Sequence, residues 1–415
     1  MAVLASGSVA GRVIGLVTAP VITRIYLPEH MGVLSVFMAL LAIVVPFVDL
    51  LYSLSIPLPK NDGSALNLAA ICGGITVVTS TLVFFLLWFF AAPVLSLLSM
   101  EQLLPYWWLF PVALASTGFY GLLSQWAVRE KAFKPLSTSG VWQAGIGAVV
   151  KIGLGFLGFK PLGLLVGQLF NQAGGISSLL RIFKRKLRGS YRHITIKRMI
   201  FLLRHYAEFP KYRLPSTLLL VLSKQAPLLF FSWQFGAEIT GNLGLALNVI
   251  VLPLSLLGQT TGYAFYAEIA RIGRRNPEKI QAITRSITKK LFLISLTPSF
   301  ILFFFGPWLF QLFFGENWRE AGVFASILTL YSLAQFVFTP IANGVLNVFE
   351  KQLTVLKINI SRVVLIGCVF IASNIFDLKP YLTLYLYSIV LTAQYIIATI
   401  TVFNIINNEK KLVLL

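Results

Sequence analysis

Residues 184–213 read KRKLRGSYRHITIKRMIFLLRHYAEFPKYR, from Lys184 to Arg213. Lys184, Arg185, Lys186, Arg188, Arg192, Lys197, Arg198, Arg204, Lys211 and Arg213 alternate with Tyr191, Ile194, Ile196, Met199, Ile200, Leu203 and Tyr206. A segment with cations on one side and apolar residues on the other lies on a membrane surface, against anionic lipid headgroups. Working outward, six apolar stretches precede it, at roughly 3–25, 33–55, 65–92, 104–127, 136–157 and 161–183, and six follow, at roughly 214–235, 241–267, 286–312, 321–345, 353–374 and 380–407. Each has the length of about 20 residues that a helix needs to cross a bilayer. The expected organisation is an all-α integral membrane protein of about twelve spans. One six-helix bundle covers 1–183, a basic amphipathic linker 184–213, a second bundle 214–408 and a short tail 409–415.

The charge pattern sets the expected orientation. The chain carries 34 Lys and Arg against 14 Asp and Glu, a net charge of +20. Most of these cations fall in every second gap between spans. The opposite face holds Lys160, Arg319 and Lys379. By the positive-inside rule both termini and the linker are cytoplasmic. The positive charge therefore reports topology, and no nucleic-acid partner is expected.

Other function classes find little support. The chain is 57% hydrophobic and 12% charged, where soluble domains carry about 25% charged residues. The first apolar segment lacks a basic n-region and a small-residue cleavage site, so it reads as the first span and not as a signal peptide. Cys72 and Cys368 both fall within spans, which argues against a disulfide. His30, His193 and His205 are scattered, no carboxylate cluster has metal-ligand spacing, and no phosphate-binding Walker loop is present. No metal, no cofactor and no enzymatic activity are expected.

Arg12, Arg24, Lys151, Lys224, Lys357 and Arg362 lie inside spans, with one carboxylate, Asp49. A basic residue at mid-membrane costs roughly 2.5–3.5 kcal/mol on insertion scales, so it faces a protein interior or a wet cavity. Arg12, Lys224 and Arg362 stand nearest mid-membrane. Lys151 and Arg24 are closer to the outer boundary, and Arg24 and Lys357 can snorkel. Asp49 can neutralise one or two of the cations, Arg12 first, and is a candidate carrier of a coupling ion. The remaining excess calls for an anion from outside the chain, and Arg suits phosphate oxygens.

The two halves look duplicated. Tyr26, Glu29, Gly32 and Leu34 after span one are matched by Phe235, Glu238, Gly241 and Leu243 after span seven, an offset of 209 (from Gly32 to Gly241). Pro46 in span two has a near counterpart in Pro253 of span eight. Repeats of six spans are parallel and related by an axis along the membrane normal. Small residues line span one (Ser6, Gly7, Ser8, Gly11, Gly15), span five (Gly140, Gly145, Gly147, Gly153, Gly155) and span six (Gly163, Gly167, Gly174, Gly175). They allow close helix approach. Gln143, Gln168, Asn171 and Gln172 either line a cavity beside them or bond between helices. Trp88, Trp107, Trp108, Trp233, Trp308 and Trp318 fall near one boundary, as an interfacial aromatic belt would.

Three motifs carry a family resemblance. Pro20-Val21-Ile22-Thr23-Arg24-Ile25-Tyr26-Leu27-Pro28-Glu29, with Gly32 and Ser35-Val36-Phe37, resembles the first hairpin of Wzx-type polysaccharide flippases. Ser124-Gln125-Trp126-Ala127-Val128-Arg129-Glu130-Lys131-Ala132-Phe133 resembles their fourth-to-fifth span loop. Phe314-Gly315-Glu316-Asn317-Trp318-Arg319-Glu320-Ala321-Gly322 resembles the segment before their tenth span. The resemblance covers nearly the whole chain, apart from a longer basic tail that family members carry before span one. It implies a MATE-like fold within the multidrug/oligosaccharidyl-lipid/polysaccharide exporter superfamily. It also implies a flippase that carries undecaprenyl-diphosphate-linked oligosaccharide across the bacterial inner membrane for O-antigen, lipopolysaccharide, capsule or exopolysaccharide synthesis. A polysaccharide polymerase and co-polymerase are its implied partners, beside anionic membrane lipids. On that reading Arg12, Lys224 and Arg362, with Lys151 and Arg24, meet the diphosphate, and Asp49 serves coupling. A MATE-type drug exporter would want an acidic cavity, which one Asp against six cations does not build. A membrane glycosyltransferase or polymerase would want a large outer loop, and the loops here are short.

Overall fold

A chain this apolar has to satisfy its backbone hydrogen bonds within each segment when it enters lipid, which favours helices. The computed structural model describes residues 2–190, 194–274 and 276–414, apart from the side chains of 2–6, 8, 185–190, 251–260 and 412–414. Thirteen α-helices account for nearly all of them: α1 (Ala2–Ile25), α2 (Pro28–Val44), α3 (Asp62–Leu97), α4 (Leu109–Arg129), α5 (Phe133–Phe156), α6 (Leu162–Ala173), α7 (Ile176–Ser190), α8 (Ile196–His205), α9 (Leu214–Ile272), α10 (Pro277–Phe314), α11 (Arg319–Val348), α12 (Gln352–Ile375) and α13 (Pro380–Leu414). No strand occurs among the described residues. The protein is an all-α membrane protein, and all twelve expected spans fall on helical segments, with span two interrupted at 48–51.

Seven stretches are long and apolar enough to cross a membrane on length and composition alone: Pro28–Phe47, Asp62–Leu97, Phe209–Ile250, Pro277–Phe314, Glu316–Val348, Gln352–Ile375 and Pro380–Lys411. Among the other helices, α4 and α5 carry glycines, hydroxyls and amides that dilute hydropathy, and α6, α7 and α8 are shorter than 18 residues. Their faces are still apolar. Val17, Val149, Phe156 and Leu157 are among the most exposed large side chains. Exposed apolar area on this scale marks contact with lipid.

Three spans depart from simple rods. Span two breaks. After α2 come a 3-10 turn (Val45–Phe47), then Leu50 and Leu51 at φ +52° and +60°, then a second 3-10 turn (Tyr52–Ser55). Non-glycine residues in that region carry backbone strain. Asp49, only 4% exposed, spans the break, its Oδ1 accepting the Leu51 N–H at 2.9 Å. Span six divides at Gly174-Gly175 into α6 and α7, and α7 continues into the basic linker. Spans seven and eight form one element, α9, folded at Gly236, whose φ of +79° glycine accepts without the Cβ penalty. The linker itself is α8 and a π-turn at Phe209–Arg213. Tyr191, Arg192 and His193, and the side chains of Ser6 and Ser8, lie outside the described residues.

Two compact units result, Met1–Gly241 and Asn242–Leu415. In the first unit α1 packs along α5, α5 along α6, and α3 along α4. Its core includes Val33, Val36, Phe37, Leu41, Phe110 and Leu114. In the second, α10 packs on α11 and α11 on α13, around Phe265, Ile269, Leu291, Val337, Ile341 and Tyr395. The α3–α4, α4–α6 and α5–α6 pairings recur there as α10–α11, α11–α13 and α12–α13.

The repeated glycines have a packing reason. A Cβ on Gly32 would sit 1.9 Å from the Ala237 carbonyl oxygen, and one on Gly241 would sit 1.8 Å from that of Pro28. The two copies of the motif thus lie backbone to backbone within the first unit. The Phe314–Gly322 motif likewise makes the turn from α10 to α11, with Gly315 at φ +107°. Gly322 lies against the Gly306 carbonyl, where a Cβ would be 2.5 Å away. Trp88, Trp108, Trp233 and Trp308 are exposed, as a belt requires, but Trp318 is fully buried. It belongs to the core under this turn, because Gly315 folds the chain back over it.

Candidate functional site

Small residues build the first polar cluster. On α1, Gly7 and Gly11 lie against Ser137 and Gly140 of α5, and on α5 Gly147 lies against Asn171 of α6. Without side chains between them the helices approach closely. In that seam Lys151 Nζ donates to Gln168 Oε1 at 2.8 Å, and the Lys151 carbonyl accepts the Tyr26 hydroxyl at 2.7 Å. A Cβ on Gly167 would be 2.3 Å from Lys151 Cγ. Further along, Thr117 Oγ1 donates to Gln172 Oε1 at 2.8 Å and Gln143 Nε2 to the Gln172 carbonyl at 3.1 Å. The glutamines of spans five and six therefore act as interhelical partners, and Lys151 has its acceptor inside the protein.

The other cations of the first unit sit differently. Arg12 is half-buried on α1, whereas Arg24 and Lys224 are exposed. Asp49 forms no salt bridge with Arg12. That expected pair is corrected: the carboxylate is bound to its own turn, where the broken backbone supplies the Leu51 donor and the Ser53 hydroxyl.

The second unit holds a different kind of site. Arg362 of α12 places its guanidinium carbon 4.9 Å from the centre of the Tyr395 ring. Tyr395 and Tyr387 are eight residues apart on one face of α13. Tyr331 of α11 completes the group, its ring 5.6 Å from Tyr387 and 5.8 Å from Tyr395. Phe370 stacks on Tyr387 at 6.0 Å. Gln335 Nε2 donates to the Tyr395 hydroxyl at 3.1 Å, and Gln394 Nε2 to the Ile358 carbonyl at 3.1 Å. Arg362 Nε and Gln394 Oε1 are buried and without a hydrogen-bond partner among the described residues. Ring faces attract a cation but do not occupy its N–H groups. The arrangement is a half-buried guanidinium with its Nε donor to spare, set among aromatic rings and hydroxyls. Lys357, five residues earlier on α12, is exposed.

Arg12 and Lys224 thus belong to one compact unit and Arg362 to the other. The tyrosines and Gln335 escaped the sequence reading. Their signal is the spacing of Tyr331 with Gln335, and of Tyr387 with Tyr395, on faces shared every three to four residues. Among the described residues no group of three His, Cys, Asp or Glu is placed to hold a metal ion.

Comparison with known proteins gives this geometry its setting. No curated protein sequence matches the chain. Solved structures share its fold. An inward-facing multidrug resistance MATE transporter of the MOP superfamily superposes with a TM-score of 0.72 at 16% identity, covering 99% of this chain and 96% of the other. The lipid II flippase MurJ, in an inward closed conformation, superposes with a TM-score of 0.73 at 14% identity, covering 100% and 92%. A MOP superfamily transporter from Pyrococcus furiosus, described as having a binding pocket of reversed polarity, gives 0.59 at 16% identity, covering 99% and 95%. The family model described as polysaccharide biosynthesis protein matches residues 21–323, most of the chain. With that match, and with the fold of membrane transporters and flippases, the chain belongs to the polysaccharide biosynthesis protein family.

Proposed function

We propose that this protein flips oligosaccharide repeat units linked to undecaprenyl diphosphate from the cytoplasmic to the outer leaflet of the bacterial inner membrane, by alternating access, for a cell-surface polysaccharide. The observation that carries the reading is Arg362: a half-buried guanidinium whose Nε is buried and unpartnered among the described residues, set over the Tyr395 ring. A cation kept at that desolvation cost suits an anionic guest, and a diphosphate offers oxygens for charge-assisted hydrogen bonds. Tyrosine rings and hydroxyls beside it suit a sugar or phosphate neighbour. Family membership supplies the polysaccharide context. The lipid II flippase shares the fold, and the Pyrococcus furiosus transporter of the MOP superfamily is described with a binding pocket of reversed polarity.

In this reading Arg12 and Lys224 join Arg362 in holding the diphosphate as the two bundles, 1–183 and 214–408, rock to expose it to one side of the membrane and then the other. Arg24 and Lys151 are secondary contacts, Asp49 carries a coupling ion, and the polyprenyl tail stays in the lipid phase. Both termini and the basic linker face the cytoplasm, where the linker meets anionic headgroups, and polymerase and co-polymerase act on the product outside.

The test is complementation of glycan export in cells lacking their own flippase. Arg362→Gln, Arg12→Gln and Lys224→Gln should each lose export with protein level unchanged. Full export by the triple variant overturns the anion-binding role. Thiol labelling of cysteines introduced at Ser190 and Asn317 reads orientation. Reaction at Ser190 from outside intact cells, with Asn317 protected, reverses it.

A further inference from the structure

The first unit carries a cavity of about 1080 Å³, separate from the cluster around Arg362. It runs between α3 and α4, lined from Leu66 to Phe85 on one and from Trp108 to Leu123 on the other. At about 1.5 Å per residue the α3 wall is roughly 28 Å long, close to the ~30 Å of the hydrocarbon core. Its floor is kept open by Ala69, Ala70, Gly73 and Ala115, and Phe85 and Trp108 stand half-exposed at one end. Ser80, 8% exposed and without a hydrogen-bond partner among the described residues, also lines it.

The other end is basic. Ile176, Leu180 and Phe183, one face of α7, close the cavity there together with Ile194. On α7 Arg181 and Lys184 are exposed, and α8 exposes Lys197, Arg198 and Arg204. A second cavity of about 500 Å³ opens beside the first turn of α3, lined by Asn61, Ser64, Arg198 and Phe201 among others. The nearby Asp62 is neutralised by Arg129 at 3.0 Å. The linker is held to this end because the Thr195 N–H donates to Asn67 Oδ1 at 3.0 Å.

We infer that the groove seats a polyprenyl chain, with its phosphate head at the Arg198 end, as a holding site for the carrier lipid before its head is translocated. The inference rests on the flippase reading and adds to it where the tail lies. Two features select the occupant. An ordinary acyl chain fills one leaflet, about half of the ~30 Å core, whereas this groove runs almost the whole height. The cations at one end only match an amphiphile with a single anionic head.

The experiment uses the full chain in nanodiscs containing phosphatidylglycerol, photolysed with a glycan-free polyprenyl monophosphate bearing a diazirine mid-chain. Adducts should map to residues 66–85 and 108–123. Gly73→Leu should lower their yield roughly tenfold, the loss of about two buried methylenes of the chain. A Cβ at Gly73 meets only Leu122 Cδ1 at 3.8 Å and Phe119 Cε1 at 3.9 Å, ordinary contacts, so the added side chain grows into the groove. Ala115→Leu is the second blocking variant, and both are compared with the parent by size-exclusion profile. Arg198→Gln should weaken labelling and its salt dependence. Adducts elsewhere, or equal labelling by a diacyl phospholipid diazirine, would overturn the proposal. Arg362→Gln separates the two readings. If that variant loses export and labels normally, both stand. If it exports normally while the groove still labels, the groove binds the lipid but the flippase reading falls. If export depends on Arg362 and the groove never labels, only the groove falls.

Discussion

Lys151 in the first unit and Arg362 in the second are both cations within spanning helices, yet their surroundings differ in kind. Lys151 lies in a seam where glycines bring α5 and α6 together, and Gln168 presents an amide oxygen 2.8 Å from its ammonium. Arg362 lies among rings, with its guanidinium 4.9 Å from the Tyr395 centroid and its Nε unpartnered. A close-packed seam can fix one acceptor in place for a compact ammonium. An aromatic wall lowers the cost of a planar guanidinium without using up its donors. Charge inside a span is therefore not one signal: the first cation already has an acceptor fixed inside the protein, and the second has a buried donor left for a guest.

The largest effect that could break the contrast is at Arg362. Arg362→Gln should cut glycan export by about 100-fold or more, since losing one partner of a desolvated charge pair costs about 3 kcal/mol. Arg362→Lys should recover only part of it, because the forked geometry is lost. Export assays at matched protein level read both, and wild-type export by Arg362→Gln would erase the distinction.

Lys151→Met should show first in stability, by about 1.5–3 kcal/mol, the range for hydrogen bonds to charged groups. A double-mutant cycle with Gln168→Leu, followed by thermal unfolding in detergent, should show strong coupling between the two. Additive losses, or an export defect as deep as that of Arg362→Gln at normal stability, would make Lys151 a substrate contact of the same kind.

Tyr395 sharpens the ring side of the comparison. Tyr395→Phe keeps the face over Arg362 and loses the bond from Gln335, an effect of about 1 kcal/mol, with export largely retained. Tyr395→Ala removes the face and should follow Arg362→Gln in export. Equal behaviour of the two variants would show that the hydroxyl, and not the ring, supports the guanidinium.

The smallest effect is expected at the surface pair of Arg274 and Glu350, in the second unit. Arg274 holds the Glu350 carboxyl below its ordinary range, chiefly through their hydrogen bond and then through charge. A carboxyl whose folded pKa lies below its unfolded value adds stability that is full above the unfolded pKa and fades as pH falls through the folded one. Acid titration should therefore remove this contribution below the usual glutamate range, and Glu350→Gln should flatten that part of the stability profile. Because both groups are exposed, the change should sit at the edge of detection, well below that at Lys151.

Much of this protein is set locally. Span positions, the basic linker and the anomaly of Arg362 among apolar neighbours follow from transfer free energies, which depend on the residue and the few around it. That is why the apolar stretches fall on helices, and why Arg12, Lys224 and Arg362 are conspicuous in the sequence. The rest depends on partners distant in the chain. Gln168 completes Lys151, Tyr395 and Tyr331 wall Arg362, and Ala237 explains Gly32, each through a contact that no local pattern encodes. Trp318 carries the composition of a belt residue and is core, because one glycine turn folds it inward. Asp49 had the look of a partner for Arg12, but its own broken span supplied the donors first. Apolarity and charge are summed along the sequence. Hydrogen-bond satisfaction and close packing are decided only when separate helices meet.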